Sequence, residues 1–207
     1  MVLCCWKDLI DGIIPSDCTE LYCNDSNLSS LPELPQTLRK LYCYNNNLNV
    51  LPELPQTLLE LRCYCNDLSN LPELPQILRE LRCSVNKLNN LPELPQTLQI
   101  LSCFSNKLNE LPELPQTLEY LYCNNNNLSN LPKLPQTLEY LYCNNNHLSN
   151  LPELPQTLQE LNCNNNNIKF LSYENCQVIK KLNHVKLLNN PFSANFTTDG
   201  EFISSLY

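Results

Sequence analysis

Two arginines 20 residues apart, Arg62 and Arg82, each follow a glutamate by two residues, Glu60 and Glu80. A guanidinium carries a planar fork of donors that matches a carboxylate or phosphate in two-point contact. Two such groups one above the other repel. The glutamates on the same face can neutralise them, so the set reads first as a compensated charge cluster and second as an anion site. Around it stand eight of the ten tyrosines, Tyr22, Tyr42, Tyr44, Tyr64, Tyr120, Tyr122, Tyr140 and Tyr142, together with Phe104. Tyrosine and arginine are the residue types enriched at interface hot spots. A plain structural account of the tyrosines also exists, since aromatic residues suit exposed strands and stack across them. The chemistry on offer is recognition rather than bond making.

Thirteen cysteines and two histidines, His147 and His184, raise the questions of disulfides and metals. Eight cysteines recur at one period: Cys23, Cys43, Cys63, Cys83, Cys103, Cys123, Cys143 and Cys163. Neighbouring strands lie roughly 4.8 Å apart, too far for an unstrained disulfide between side-by-side residues. Free cysteine is a good small buried hydrophobe. The column therefore reads as a reduced core ladder, which implies a reducing, cytoplasmic compartment. There is no C-x-x-C, and Cys63 and Cys65 alternate between faces, so no zinc site is expected. Acidic residues are spread by the period rather than gathered, and no Ser/His/Asp or Cys/His set converges. No catalytic residue, cofactor or metal is expected.

The elements that position these residues come from a repeat. L-P-E-L-P-Q-T-L begins at Leu31, Leu51, Leu91, Leu111 and Leu151, with variants at Leu71 and Leu131. A fixed period of 20 residues marks a solenoid in which each repeat packs on its neighbours. Within one copy, Leu41-Tyr42-Cys43-Tyr44 alternates with period two and predicts a short strand, with Leu41 and Cys43 inward and the tyrosines outward. Asn46 follows three residues after the inward cysteine, and Asn66, Asn86, Asn106, Asn126, Asn146 and Asn166 repeat it, with Ser26 in the first copy. Buried amides at that period predict an asparagine ladder that satisfies turn backbone. The other asparagines read mostly as a solvated, low-complexity surface. Two prolines per copy dictate an extended, polyproline-like return arm.

The pattern LxxLxCxxNxLxxLPxLPxx resembles a leucine-rich repeat of the short class found in bacterial effector proteins, with cysteine in place of the usual third leucine. The near-identical copies and asparagine-rich filling also resemble leucine-rich repeat proteins of amoebal giant viruses (mimivirus-type). The resemblance covers about Ile14 to Phe192. It implies a solenoid with a parallel β-sheet on the concave face, extended convex arms and little helix except near the C-terminal cap. Some bacterial relatives carry a cysteine-nucleophile ubiquitin-ligase domain after the repeats. About fifteen residues follow the ninth turn here, so that activity is not carried over.

The repeat accounts for one domain over residues 1–207: an N-terminal cap (1–13) with Trp6, Leu9 and Ile10 as cover, about eight repeats (14–170), an irregular ninth (171–192) and a tail (193–207). Cys163 to Leu187 spans 24 residues, so the ninth turn holds a four-residue insertion, and its proline-free segment Ser172 to Lys181 suits a short helix. Fourteen of the 16 prolines lie in the arms, and Gly12 and Gly200 are the only glycines, which excludes a glycine-rich phosphate loop. No apolar run approaches a membrane span, and the N-terminus is a poor secretory signal. A net charge of −8 argues against nucleic acid. The expected function is a non-enzymatic protein-interaction module in the cytoplasm, monomeric or weakly self-associating. It would bind a protein partner on its concave face through Tyr22, Tyr42, Tyr44, Arg62, Tyr64, Arg82, Phe104, Tyr120, Tyr122, Tyr140 and Tyr142. The alternative is a structural, self-assembling repeat protein.

Overall fold

The computed structural model describes residues 2–6, 13–194 and 198–205. Ten parallel strands form one sheet in strict chain order. They are β1 (Leu3–Cys5), β2 (Glu20–Tyr22), β3 (Lys40–Tyr42), β4 (Glu60–Arg62), β5 (Glu80–Arg82), β6 (Ile100–Ser102), β7 (Tyr120–Tyr122), β8 (Tyr140–Tyr142), β9 (Glu160–Asn162) and β10 (His184–Lys186). Each strand is only three residues long, because the backbone must turn into the arm and return within one repeat. The pairing has no slip: Tyr22, Tyr42, Arg62 and Arg82 face one another in sequence, as do Glu20, Lys40, Glu60 and Glu80. The first strand comes from the segment expected to act only as a cap. It extends the sheet, with Cys4 buried against the core. Trp6 packs on that core, while Leu9 and Ile10 lie outside the described residues.

Behind the sheet, each turn contributes the same buried set. In the turn of β4, Leu58, Leu61, Cys63 and Leu68 are fully buried. Burial of one leucine side chain is worth about 1.5–3 kcal/mol, so stacking the turns supplies the stability that no single turn holds. All thirteen cysteines are free. Burial pushes the thiols of Cys43, Cys63, Cys103 and Cys143 well above their ordinary range, and those of Cys23, Cys83, Cys123 and Cys163 to about 12.

The asparagine ladder is present and bridges adjacent turns. Asn106 accepts from the Leu88 amide at 3.0 Å and donates to the Cys83 and Cys103 carbonyls, both at 3.1 Å. The same contacts run from Asn46 to Asn166 and end at Asn190, which accepts from Ile168. Among the remaining asparagines, one exposed set has a structural role that the sequence reading did not single out. The position just before each ladder residue is left-handed, φ 53–55° at Asn45, Cys65, Val85, Ser105, Asn125, Asn145 and Asn165. Asparagine tolerates this conformation better than other residues with a side chain. These outer amides form a second, exposed ladder: Asn145 donates to Asn125 at 2.6 Å, and Asn165 to Asn145 at 2.7 Å. A third ladder had no forecast. Thr37, Thr57, Thr97, Thr117, Thr137 and Thr157 each point a hydroxyl at two carbonyls of the previous turn. Ile77 breaks it and is exposed.

The irregular ninth turn holds α1 (Tyr173–Ile179), capped by the Ser172 hydroxyl, which accepts from the Asn175 amide. Near the C-terminus, α2 (Asp199–Ser205) closes on the last strand, where the Asp199 carboxylate accepts from the Leu187 amide at 2.8 Å.

Candidate recognition surface on the concave sheet

The exact pairing brings the outward residues of every strand into columns, so side chains 20 residues apart touch. Tyr120 stacks on Tyr140, with ring centroids 4.8 Å apart and planes 8° from parallel. Tyr122 meets Tyr142 at 5.2 Å and 36°. These four rings form one patch across β7 and β8. Tyr142 donates to the Glu160 carboxylate, and that bond, then burial, pushes its pKa up to about 12. Nearer the N-terminus, Tyr44 stacks on Tyr64 at 4.5 Å, and Tyr22 meets Tyr42 edge-on at 4.8 Å. Tyr42 is only 8% exposed, because Tyr22 lies on one side and the Arg62 guanidinium sits 4.7 Å over its ring. It offers a partner little of its own surface and acts mainly as support.

Between these aromatic groups runs an alternating charge chain. Lys40 reaches Glu20 at 3.7 Å and Glu60 at 3.2 Å. Arg62 and Arg82 share one oxygen of Glu80, through Nε at 2.8 and 2.6 Å. The predicted compensation of the arginine pair is thus real. Tyr42 donates to Glu60 at 2.5 Å. Burial raises the Glu60 pKa, but the bonds from Tyr42 and Lys40 outweigh it and hold the carboxylate below its usual range. Burial, then the contact with Glu60, raises the Tyr42 phenol.

Two residues here escaped notice in the sequence. Ser84 and Ser102 are buried at 1% and 5% exposure, and their hydroxyls bond each other at 2.8 Å. They interrupt columns otherwise filled by tyrosine, arginine, phenylalanine and asparagine, and so cut a notch in the face. Arg62, Tyr64, Arg82 and Phe104 line it, around about 200 Å³. The only available signal was that break in side-chain size. Of the eleven expected surface residues, Arg62, Tyr64, Arg82 and Phe104 line this notch, Tyr22, Tyr42 and Tyr44 lie to its N-terminal side, and Tyr120, Tyr122, Tyr140 and Tyr142 to its C-terminal side. Among the described residues, no group of three His, Cys, Asp or Glu side chains is placed to hold a metal ion. No helix there is long and apolar enough to cross a membrane.

The sequence matches no protein-family model and no curated protein sequence. Solved structures do match. The leucine-rich repeat domain of a Shigella effector superposes with a TM-score of 0.70 at 33% identity, over 84% of this chain and 83% of its own. The chain belongs to the leucine-rich repeat family, in its effector-like class. YopM from Yersinia enterocolitica gives a TM-score of 0.82 at 36% identity over 86% of this chain, and YopM from Yersinia pestis gives 0.78 at 40% over 83%. This leucine-rich repeat chain spans 39% and 49% of those two proteins, under half the length of either. The leucine-rich repeat scaffold is a protein-interaction fold. The asparagine ladder and the parallel sheet place the surface columns.

Proposed function

We propose that this leucine-rich repeat protein is a non-enzymatic interaction module whose concave sheet face binds a protein partner. The observation that carries the reading is the patch of Tyr120, Tyr122, Tyr140 and Tyr142. Four partly exposed rings are held against one another before any partner arrives. Prestacked rings give a large contact area and lose little freedom on binding. The buried thiol column supports residence in a reducing cytoplasm, and the protein acts there as a monomer. Sedimentation over a range of concentrations tests the last point, where a mass that rises with concentration would refute it.

The test of the surface is partner capture from the native host, quantified for three forms. Tyr122→Ala with Tyr142→Ala should weaken capture at least tenfold, about 1.4 kcal/mol. Glu113→Gln with Glu153→Gln, on the convex arms, should leave it intact. Loss of capture with the convex pair and none with the tyrosine pair would move the binding surface to the other side.

A further inference from the structure

The notch between the two aromatic clusters has a composition unlike the rest of the face. Its lining of Arg62, Tyr64, Arg82, Ser84, Ser102 and Phe104 contains two cations and no carboxylate, in a protein of net charge −8. We propose that this notch is a receptor for a single carboxylate carried on an extended peptide, with an apolar neighbour of that acidic residue lying on Tyr64 or Phe104. The proposal rests on the concave-face reading and names the chemistry that the partner must present.

Three features converge on a monoanion. First, both arginines are held by Nε to the same Glu80 oxygen, at 2.8 and 2.6 Å. That contact fixes the direction of each fork. Beyond Glu80, Arg62 has one further ion pair among the described residues, through Nη2 to Glu60 at 3.8 Å, and Glu60 is also claimed by Lys40 at 3.2 Å. Second, Lys40, Arg62 and Arg82 are matched one for one by Glu20, Glu60 and Glu80, so the cluster is neutral and one added carboxylate strains it less than a phosphate dianion, which would also crowd Glu80. Third, the floor is polar and buried. The Ser84 and Ser102 hydroxyls bond each other, and a hydroxyl pair of this kind uses one proton and leaves the other to donate. A carboxylate seated there would meet guanidinium donors from the walls and a hydroxyl from below, in a recess of about 200 Å³ that suits one side chain rather than a nucleotide. Charge-assisted bonds of this type are the strong ones, and the aromatic rims of Tyr64 and Phe104 shield them from water.

The experiment is a titration of the full chain, followed by NMR at the arginine Nε–H groups and the Ser84 and Ser102 amides. Three peptides differ at one position: acetyl-Ala-Phe-Glu-Ala-amide, its Gln counterpart and its phosphoserine counterpart. The Glu peptide should shift these signals saturably, and the Gln peptide should bind at least tenfold more weakly. Arg82→Gln should abolish the difference between Glu and Gln, while Arg82→Lys restores part of it. Arg82 is 39% exposed in its side chain, so thermal unfolding should show both variants folded. Equal binding of Glu and Gln, binding of the phosphoserine peptide alone, or no saturable shift would each overturn the proposal. Glu113→Gln with Glu153→Gln, on the convex arms, should leave peptide binding unchanged. If Tyr122→Ala with Tyr142→Ala abolishes partner capture while the Glu peptide fails to bind, the concave-face reading stands and the carboxylate receptor falls.

Discussion

Val85 sits at φ 53°, a conformation that a β-branched residue adopts only when the surrounding structure forces it. Asparagine fills the equivalent place at Asn45, Asn125, Asn145 and Asn165. Val85→Asn should therefore stabilise the protein by about 1 kcal/mol, and since Val85 is exposed the change sacrifices little burial. Asn125→Ala should cost about 0.5–1 kcal/mol through the same conformation, which the view of this residue as inert surface would set near zero. Asn106→Ala removes bonds to four backbone groups and should cost more, about 1–3 kcal/mol. Denaturant midpoints for the three variants check the order, and equal losses for Asn106→Ala and Asn125→Ala would refute it. The inner ladder was legible because its asparagine recurs in every copy after the first, where Ser26 stands. The outer one was not, because Cys65, Val85 and Ser105 hide a backbone requirement that side-chain chemistry alone does not reveal.

A three-residue strand or a single turn has no stability of its own, so elements here stand or fall by what ties them to the next turn. α1 depends on Asn175, which is 2% exposed. Its side chain accepts from the Leu154 amide at 2.9 Å and donates to the Pro152 carbonyl at 3.1 Å. The helix thereby meets the backbone of the preceding arm, where proline leaves no ladder of its own. Asn175→Ala should destabilise by about 1–3 kcal/mol. In hydrogen exchange, α1 should open before β3 to β8, and uniform loss of protection across the chain would contradict this. The sequence placed a helix in this segment from the missing prolines and the four extra residues. Asn175 stayed hidden because it lies outside the period on which every other asparagine was read.

For the whole molecule, the period predicts that turns are interchangeable. Deleting residues 91–110 joins two identical arms and should leave a folded solenoid of lower melting temperature. Deleting 91–100 alone breaks the frame and should prevent folding, as circular dichroism would reveal. The thiol column adds a pH dependence. Burial pushes the thiols of Cys83 and Cys123 from their ordinary value up to about 12 in the fold. Folding holds the proton more tightly, so this part of the stability is whole below pH 9 and declines as pH rises toward 12. Thermal unfolding across that range, with reductant present, should show a steep alkaline fall. A flat profile would mean that the column is accessible to water. Architecture and register were readable from repetition, whereas the first strand was not, because Leu3–Cys5 lies outside the repeat. The notch was not, since it arises where two strands depart from the repeat with small residues.

The unslipped pairing of the sheet also makes the face a ruler. The arginines of β4 and β5 and the tyrosines of β7 and β8 are separated by one strand, β6. Their spacing is set by a count, in steps of roughly 4.8 Å, and not by the angle of any loop. Because β6 also supplies Ser102 and Phe104 to the notch, gain of one turn between β6 and β7 slides the charged notch against the aromatic patch by one step and leaves both internally intact. Selectivity for the distance between an acidic and an apolar anchor on a partner can thus be retuned by copy number alone, without altering a single contact residue.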